Sequence, residues 1–143
     1  MTNQIGRFLV ATGAIIENSS TGKILLLKRS NTKDFSAGIW EYVTGRLHQF
    51  EEPAEGLRRE VREEVGIEID IVKPISVFHI FRGEKTAENE LVGVMYWCKT
   101  DSEEVELSEE HSDFRWVTAA EALELIAKPS MRADVNAFIR ERG

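Results

Sequence analysis

The segment between Pro53 and Gly66 is the most strongly patterned part of this chain. Proline suits the first position of a helix, and glycine suits the left-handed conformation that often ends one. We therefore predict a helix of about 13 residues, close to the average length in globular proteins. Helical spacing gathers its apolar side chains into one stripe that must be buried: Ala54, Leu57, Val61 and Val65.

Three glutamates form an acidic strip beside this apolar stripe. On a helix that advances by about 100° per residue, Glu60, Glu63 and Glu64 fall within a sector of about 100°. Carboxylates this close repel one another, and a bound cation is the natural compensator. Hard oxygen ligands suit Mg²⁺ or Mn²⁺. The alternative is a solvated acidic face that is braced by pairs such as Arg59 with Glu63.

Residues 45–67, GRLHQFEEPAEGLRREVREEVGI, extend this pattern towards the N-terminus. They match the motif G-x5-E-x7-R-E-apolar-x-E-E-x-G-apolar at every fixed position. A merely solvated helix has no need for Gly45 or Glu51 at this spacing. On these residues the chain resembles the Nudix hydrolase family. The resemblance implies an α/β/α sandwich, divalent-cation dependence and hydrolysis of nucleoside diphosphates linked to another group.

The resemblance also implies roles for single residues. Gly45 is expected to offer its carbonyl to a metal, and Arg59 is expected to brace Glu51 or its neighbours. The principal metal ligands are expected to be Glu60 and Glu64, and Glu63 is expected to act as a ligand or base. In the expected mechanism, water attacks a phosphorus atom of the diphosphate, metal ions neutralise the phosphate oxygens, and a carboxylate takes the proton.

A second acidic element precedes the segment Phe114–Trp116. Family members often carry a metal-reaching glutamate in this loop, and EHSDFRW is similar to that region, so we expect Glu110 to join the metal ligands and catalytic residues. An exposed acidic loop is the alternative. His111 is a candidate for orienting a phosphate or carboxylate, and a role in stabilising the turn is its alternative.

Five residues outside the motif are candidates for substrate binding. Lys28 and Arg29 close a predicted hairpin and could contact phosphate, although a solvated strand end explains them as well. Phe35, Trp40 and Phe81 are candidates for stacking on a base, and core packing is the alternative for each.

The remaining pattern predicts an α+β, or mixed α/β, domain with helices flanking a mixed sheet. The predicted strands lie at 8–16, 23–28, 69–81, 91–100 and 114–117. Thr118 and Glu121 have the spacing of a capping box for a helix through Ala127, and a further helix is predicted at 131–140 after Pro129.

Length and charge limit the remaining possibilities. A chain of 143 residues is expected to form one domain, residues 1–143. The net charge of −7 disfavours binding to a nucleic-acid polymer. No apolar stretch approaches the roughly 20 residues of a membrane span, and the N-terminus lacks the features of a secretory signal, so we expect cytoplasmic residence. The single cysteine, Cys98, is expected to be a buried structural thiol.

The expected substrate depends on weaker similarities outside the motif. Val43-Thr44 stands where most relatives have Pro-Gly, and the segment 110–139 is similar to the branch of dihydroneopterin triphosphate and dATP pyrophosphohydrolases. His48 and Phe50 stand where many relatives have Glu and Gly. A nucleoside or pterin triphosphate is therefore the expected small-molecule partner, and a homodimer would be in keeping with the family. The alternatives are hydrolysis of ADP-ribose or another nucleoside diphosphate derivative, a non-catalytic nucleotide sensor, and a fold that cations merely stabilise.

Overall fold

A mixed sheet of seven strands forms the centre of the structure, a computed structural model that describes residues 4–31 and 37–143. The strand order is β3-β2-β1-β6-β5, with β4 beside β1 and β7 beside β2. Strands β1 and β6 are parallel, and the other pairs are antiparallel. The strands are β1 (Leu9–Asn18), β2 (Ile24–Arg29), β3 (Trp40–Glu41), β4 (Val43–Arg46), β5 (Asp70–Phe81), β6 (Glu90–Thr100) and β7 (His111–Val117).

The predicted hairpin of β1 and β2 opens beyond its turn. The two strands pair at Glu17 and Ile24, next to the turn, and then diverge. Strand β4 takes the place beside β1, while β2 pairs with β3 and β7. This divergence brings β4, the strand that contains Gly45, into the sheet, where no strand was predicted.

In the described part of the chain, three α-helices and a short 3-10 helix (Ala87–Asn89) accompany the sheet: α1 (Pro53–Val65), α2 (Ala119–Leu125) and α3 (Pro129–Arg142). Helix α1 has 13 residues and ends at Gly66 with φ of 70°, as predicted. Both hydrogen bonds of the predicted capping box, between Thr118 and Glu121, are present. Pro129 starts α3, two residues earlier than predicted, because proline is tolerated in the first turn of a helix.

Alternation along the buried strands divides the core between the two faces of the sheet. The α1-side cluster includes Leu25, Leu27, Val61 and Val65, together with Cys98, which is buried as expected. The α3-side cluster includes Ile24, Leu26, Trp97, Ala122 and Phe138. Helices therefore cover both faces, and the predicted mixed-sheet α/β/α sandwich is confirmed. Within the described ranges, no helix has both the length and the apolarity needed to span a membrane.

Two partly buried polar clusters fix α3 against the sheet. The Tyr42 hydroxyl and the Ser76 hydroxyl both donate to the carboxylate of Asp134, and the Ser76 bond is 2.7 Å long. At the other end of α3, Arg142 Nη1 donates to Glu17 Oε2 at 3.0 Å, while the Trp97 indole donates to Glu17 Oε1 at 3.0 Å. Tyr42 lies between β3 and β4, so its bond to Asp134 also anchors these two strands.

Replacement of Arg142 by alanine is expected to lower the free energy of unfolding by about 2 kcal/mol, because it leaves the buried Glu17 carboxylate without its cation. Urea unfolding measures this change. Arg140→Ala, on an exposed position of the same helix, is the matched control and is expected to change it by less than about 0.5 kcal/mol. Equal effects of the two substitutions would contradict the assignment.

Candidate active site

The acidic strip of α1 runs from water into the protein interior. The side chain of Glu63 is 59% exposed, that of Glu60 is 16% exposed, and that of Glu64 is 7% exposed. This gradient follows from helical spacing, because Glu64 lies beside the buried Val61 and Val65. The strip is therefore not the solvated helix face that was its alternative.

Gly45 places the backbone of β4 directly against this strip. A Cβ atom added at Gly45 would lie 2.1 Å from Cδ of Glu60 and 2.4 Å from its Oε1. Only glycine permits so close an approach of backbone and carboxylate. Glycine is thus required at this motif position by packing, and the peptide group of Gly45 borders the Glu60 carboxylate.

Arg59 connects the carboxylates of the motif. Its Nε donates to Glu51 Oε2 at 2.7 Å, and its Nη1 donates to Glu60 at 3.0 Å and to Glu63 at 3.2 Å. Its Nη2 donates to the Arg46 carbonyl at 3.2 Å. The hydrogen bond from Arg59 is the main reason that the pKa of Glu51 is lowered to about 2. One guanidinium thereby fixes the loop after β4 against α1.

Glu64 is the buried end of the strip, and its charge is poorly compensated. Desolvation, followed by the hydrogen bond and charge of Glu110 and the charges of Glu60 and Glu41, raises its pKa to about 10. Its Oε2 is buried without a hydrogen-bond partner in the described structure. Desolvation also raises the pKa of Glu60, although Arg59 opposes this shift. A cation at this point would favour the ionised form of both groups.

A buried histidine borders Glu64 from the sheet. His111 is the first residue of β7, which begins three residues earlier than predicted, so this residue lies in a strand and not in a turn. Its Nε2 lies 2.8 Å from Glu41 Oε2, and Arg29 Nη1 lies 3.4 Å from the same oxygen. The sequence analysis missed Glu41, although a lone carboxylate inside the apolar run Ile39–Val43 was a usable signal.

These residues fit a divalent cation with mainly oxygen ligands. One ligand atom each from Glu64, Glu110 and His111 lies within 4.8 Å of the other two. Two buried atoms of these residues have no hydrogen-bond partner in the described structure, namely Glu64 Oε2 and His111 Nδ1. A cation would satisfy both atoms and offset the repulsion among the carboxylates.

The predicted substrate-binding residues do not form one group. Arg29 is tied to the site through Glu41, whereas Lys28 and its cross-strand partner Trp40 lie on the opposite, α3-side face. The guanidinium of Arg115 stacks on Trp40 at 4.9 Å from the ring centroid. Phe81 ends the outer strand β5, and its ring contacts are with His79 and Lys85. The fifth candidate, Phe35, lies outside the described residues.

Comparison with known proteins agrees with this geometry. Residues 7–139 match the NUDIX domain family model. The chain therefore belongs to the Nudix family, and it is a hydrolase that acts on phosphoric anhydrides. Among curated relatives, the CTP pyrophosphohydrolase of Escherichia coli strain K12 is 28% identical over 136 residues, which cover 95% of each chain.

A second relative and a solved structure extend the comparison. The dihydroneopterin triphosphate diphosphatase of Haemophilus influenzae is 32% identical over 123 residues, which cover 78% of this chain and 75% of the relative. The crystal structure of the MutT protein from Methanosarcina mazei Go1 has a TM-score of 0.79 and 26% identity, and the match covers 98% of this chain and 99% of that one.

The loop between β4 and α1 contains a strained residue. Phe50 has φ of 68°, and it is the one non-glycine residue with positive φ in the described structure. Its side chain is 97% exposed, so no packing compensates for this conformation. Glycine, which many relatives have at this position, adopts such a backbone without strain, whereas Phe50 does not.

Phe50→Gly is expected to raise the free energy of unfolding by about 1 kcal/mol, because glycine adopts this conformation without strain. Gln49→Gly is the matched control at the adjacent exposed position, where φ is negative. This substitution is expected to lower the free energy of unfolding. Thermal unfolding of both variants checks the pair. A loss of stability in Phe50→Gly equal to that in the control would contradict this account.

Metal-free protein is expected to lose stability as the pH rises from about 5 towards 10. The pKa of Glu64 is about 10 in the folded chain against an ordinary value of 4.5, so the folded state binds the additional proton in this range. The contribution of Glu64 therefore falls by up to about 1.4 kcal/mol per pH unit. Urea unfolding in EDTA measures the slope.

Glu64→Gln removes the titrating group and is expected to flatten this slope. Glu55→Gln, on an exposed position in the first turn of α1, is the matched control and is expected to retain the slope. An unchanged slope in Glu64→Gln would contradict the assignment of the titration to Glu64.

Proposed function

We propose that this protein is a Mg²⁺-dependent pyrophosphohydrolase that cleaves a diphosphate linkage in a nucleoside or pterin triphosphate, releasing pyrophosphate and a monophosphate. Mn²⁺ is the proposed substitute cation. The observation that supports this most directly is the carboxylate strip of α1 packed against the Gly45 backbone. Beside it, Glu64, Glu110 and His111 form a cluster in which Glu64 Oε2 and His111 Nδ1 are buried without hydrogen-bond partners in the described structure.

In this proposal the cation is held by the Gly45 carbonyl and by four carboxylates, those of Glu60, Glu63, Glu64 and Glu110. When bound, Mg²⁺ supplies charge neutralisation for the diphosphate oxygens and lowers the pKa of the attacking water. Each of these side chains comes from α1 or from the turn before β7, elements that packing holds in place. The protein thus provides preorganised negative charge and needs no covalent intermediate.

Two further roles are assigned to residues of the same helix. Arg59 is a positioning residue, because its guanidinium holds Glu51, Glu60 and Glu63 together. Glu63 is assigned as the acceptor of the proton from the attacking water. It is the most exposed member of the strip, so its free oxygen faces the side from which water and substrate arrive.

The substrate class is proposed from the relatives. Those that match across most of this chain include proteins named for CTP, dihydroneopterin triphosphate and nucleoside triphosphate hydrolysis.

Lys28, Arg29, Trp40 and Phe81 remain proposed substrate contacts. Lys28 and Trp40 are cross-strand partners on one face of the sheet, so a joint role is proposed in which the ammonium contacts phosphate and the ring stacks on a base.

The proposal is tested by incubating the protein with Mg²⁺ and a panel of nucleoside triphosphates, dihydroneopterin triphosphate, ADP-ribose and dinucleoside polyphosphates, and identifying the phosphate released. Pyrophosphate from a triphosphate is expected. Turnover of ADP-ribose alone would favour the alternative substrate class, and tight nucleotide binding without turnover would favour the sensor. Failure to cleave any diphosphate with Mg²⁺ or Mn²⁺ would overturn the proposal.

Variants of α1 connect the activity to the strip. Glu64→Gln is expected to lower kcat by at least about 100-fold while the fold is retained, because charge stabilisation at the transition state is lost. Glu55→Gln, exposed on the same helix, is expected to retain kcat. Unchanged turnover in Glu64→Gln would place the cation elsewhere.

A further inference from the structure

We infer that His111 is a nitrogen ligand of the cation in the carboxylate site and that Glu41 holds its imidazole in the ligating tautomer. This inference rests on the proposed function, because it assumes that a divalent cation binds among the glutamates. It adds to the expected oxygen ligands a residue that lies outside the carboxylate motif and a positioning residue that the sequence analysis did not single out.

The first observation is the burial of an unsatisfied nitrogen. The His111 side chain is 1% exposed, and its Nδ1 has no hydrogen-bond partner in the described structure. A buried polar atom without a partner is destabilising, so such atoms are rare unless a ligand completes them. Glu64 Oε2 on the facing helix is buried and unpaired in the same way.

The second observation is the contact that fixes the tautomer. His111 Nε2 lies 2.8 Å from Glu41 Oε2. Because a carboxylate can only accept, we assign the ring proton to Nε2 and the lone pair to Nδ1. Arg29 Nη1 forms an ion pair with the same carboxylate oxygen at 3.4 Å. A histidine that ligates a metal commonly donates its other ring N–H to a carboxylate in this manner.

Distances within the cluster agree with ligation and not with a direct hydrogen bond. His111 Nδ1 lies 3.9 Å from Glu64 Oε1, too far for the imidazole to donate to that carboxylate. Ligands about 2.1 Å from one cation are separated by about 3 Å at right angles and about 4.2 Å when opposite. The separation of 3.9 Å falls in this range.

Glu110 completes the set with a small movement. The three ligand atoms lie within 4.8 Å of one another, which exceeds the limit of about 4.2 Å by a few tenths of an ångström. Glu110 is exposed, so its side chain has room to make this adjustment, whereas His111 and Glu64 are held by packing. An imidazole among carboxylates also favours Mn²⁺ and later transition metals more than an all-oxygen site does.

The test is electron spin-echo envelope modulation of the Mn²⁺-loaded protein. The wild-type spectrum is expected to show coupling to one imidazole nitrogen, and labelling of histidine with ¹⁵N is expected to change that coupling. The chain has three histidines, His48, His79 and His111. His111→Gln is expected to abolish the coupling, and the exposed-site controls His48→Gln and His79→Gln are expected to retain it.

The affinity for Mn²⁺, measured from the spin-resonance signal of the free ion, distinguishes His111, the proposed ligand, from Glu41, its positioning residue. Glu41→Gln is expected to weaken Mn²⁺ binding by about 10-fold to 100-fold while the nitrogen coupling remains, because the ring stays close to the cation. His111→Gln is expected to weaken binding at least as much and to lose the coupling. The wild-type protein is also expected to prefer Mn²⁺ over Mg²⁺ more strongly than the His111→Gln variant does.

The outcomes distinguish this inference from the proposed function. Tight Mn²⁺ binding and metal-dependent hydrolysis without any ¹⁵N-histidine effect in the wild-type spectrum would overturn the role of His111 and leave the hydrolase proposal standing. No binding of either cation and no hydrolysis would overturn both. The wild-type labelling result decides the question even where His111→Gln does not fold.

Discussion

Burial of the apolar stripe of α1 is the constraint on which the site depends. Val61 and Val65 can pack against the sheet only if the helix is rotated so that Glu64, which borders them on the helical surface, is also removed from water. The same rotation presents Glu60 to the backbone of Gly45. Hydrophobic packing therefore holds carboxylates in a place where, without a cation, their ionisation is opposed.

Two polar supports keep this arrangement from relaxing. On the solvent side, the planar guanidinium of Arg59 binds three carboxylates and the Arg46 carbonyl, a geometry that lysine does not reproduce. On the interior side, Arg29 and Glu41 hold His111 against Glu64. Tension between apolar burial and negative charge is the expected mark of a functional site, since a purely structural surface has no reason to maintain it.

The fold places these supports on elements that are distant in sequence. Strand β1 pairs with β6 on one edge and with β4 on the other, and the opening of the β1–β2 hairpin lets β4 approach α1. Strand β2 brings β3 and β7 together, since each pairs with it. As a result Glu41 and His111, which are 70 residues apart, share one hydrogen bond beneath the helix.

Local spacing in the sequence determined the limits of α1, the acidic strip on one of its sides and the capping box of α2, because helical periodicity and capping depend only on near neighbours. The tertiary structure alone decided that His111 lies in a strand beside Glu64, that Glu41 supports it, and that Lys28 and Trp40 lie on the opposite face from Arg29. These facts depend on strand register, and a shift of one residue would reverse every side chain of a strand. No local pattern specifies which partner a strand meets across the sheet. The sequence therefore identified the carboxylates of α1 and named His111 as a candidate, whereas the contact of His111 with Glu41 required the assembled sheet.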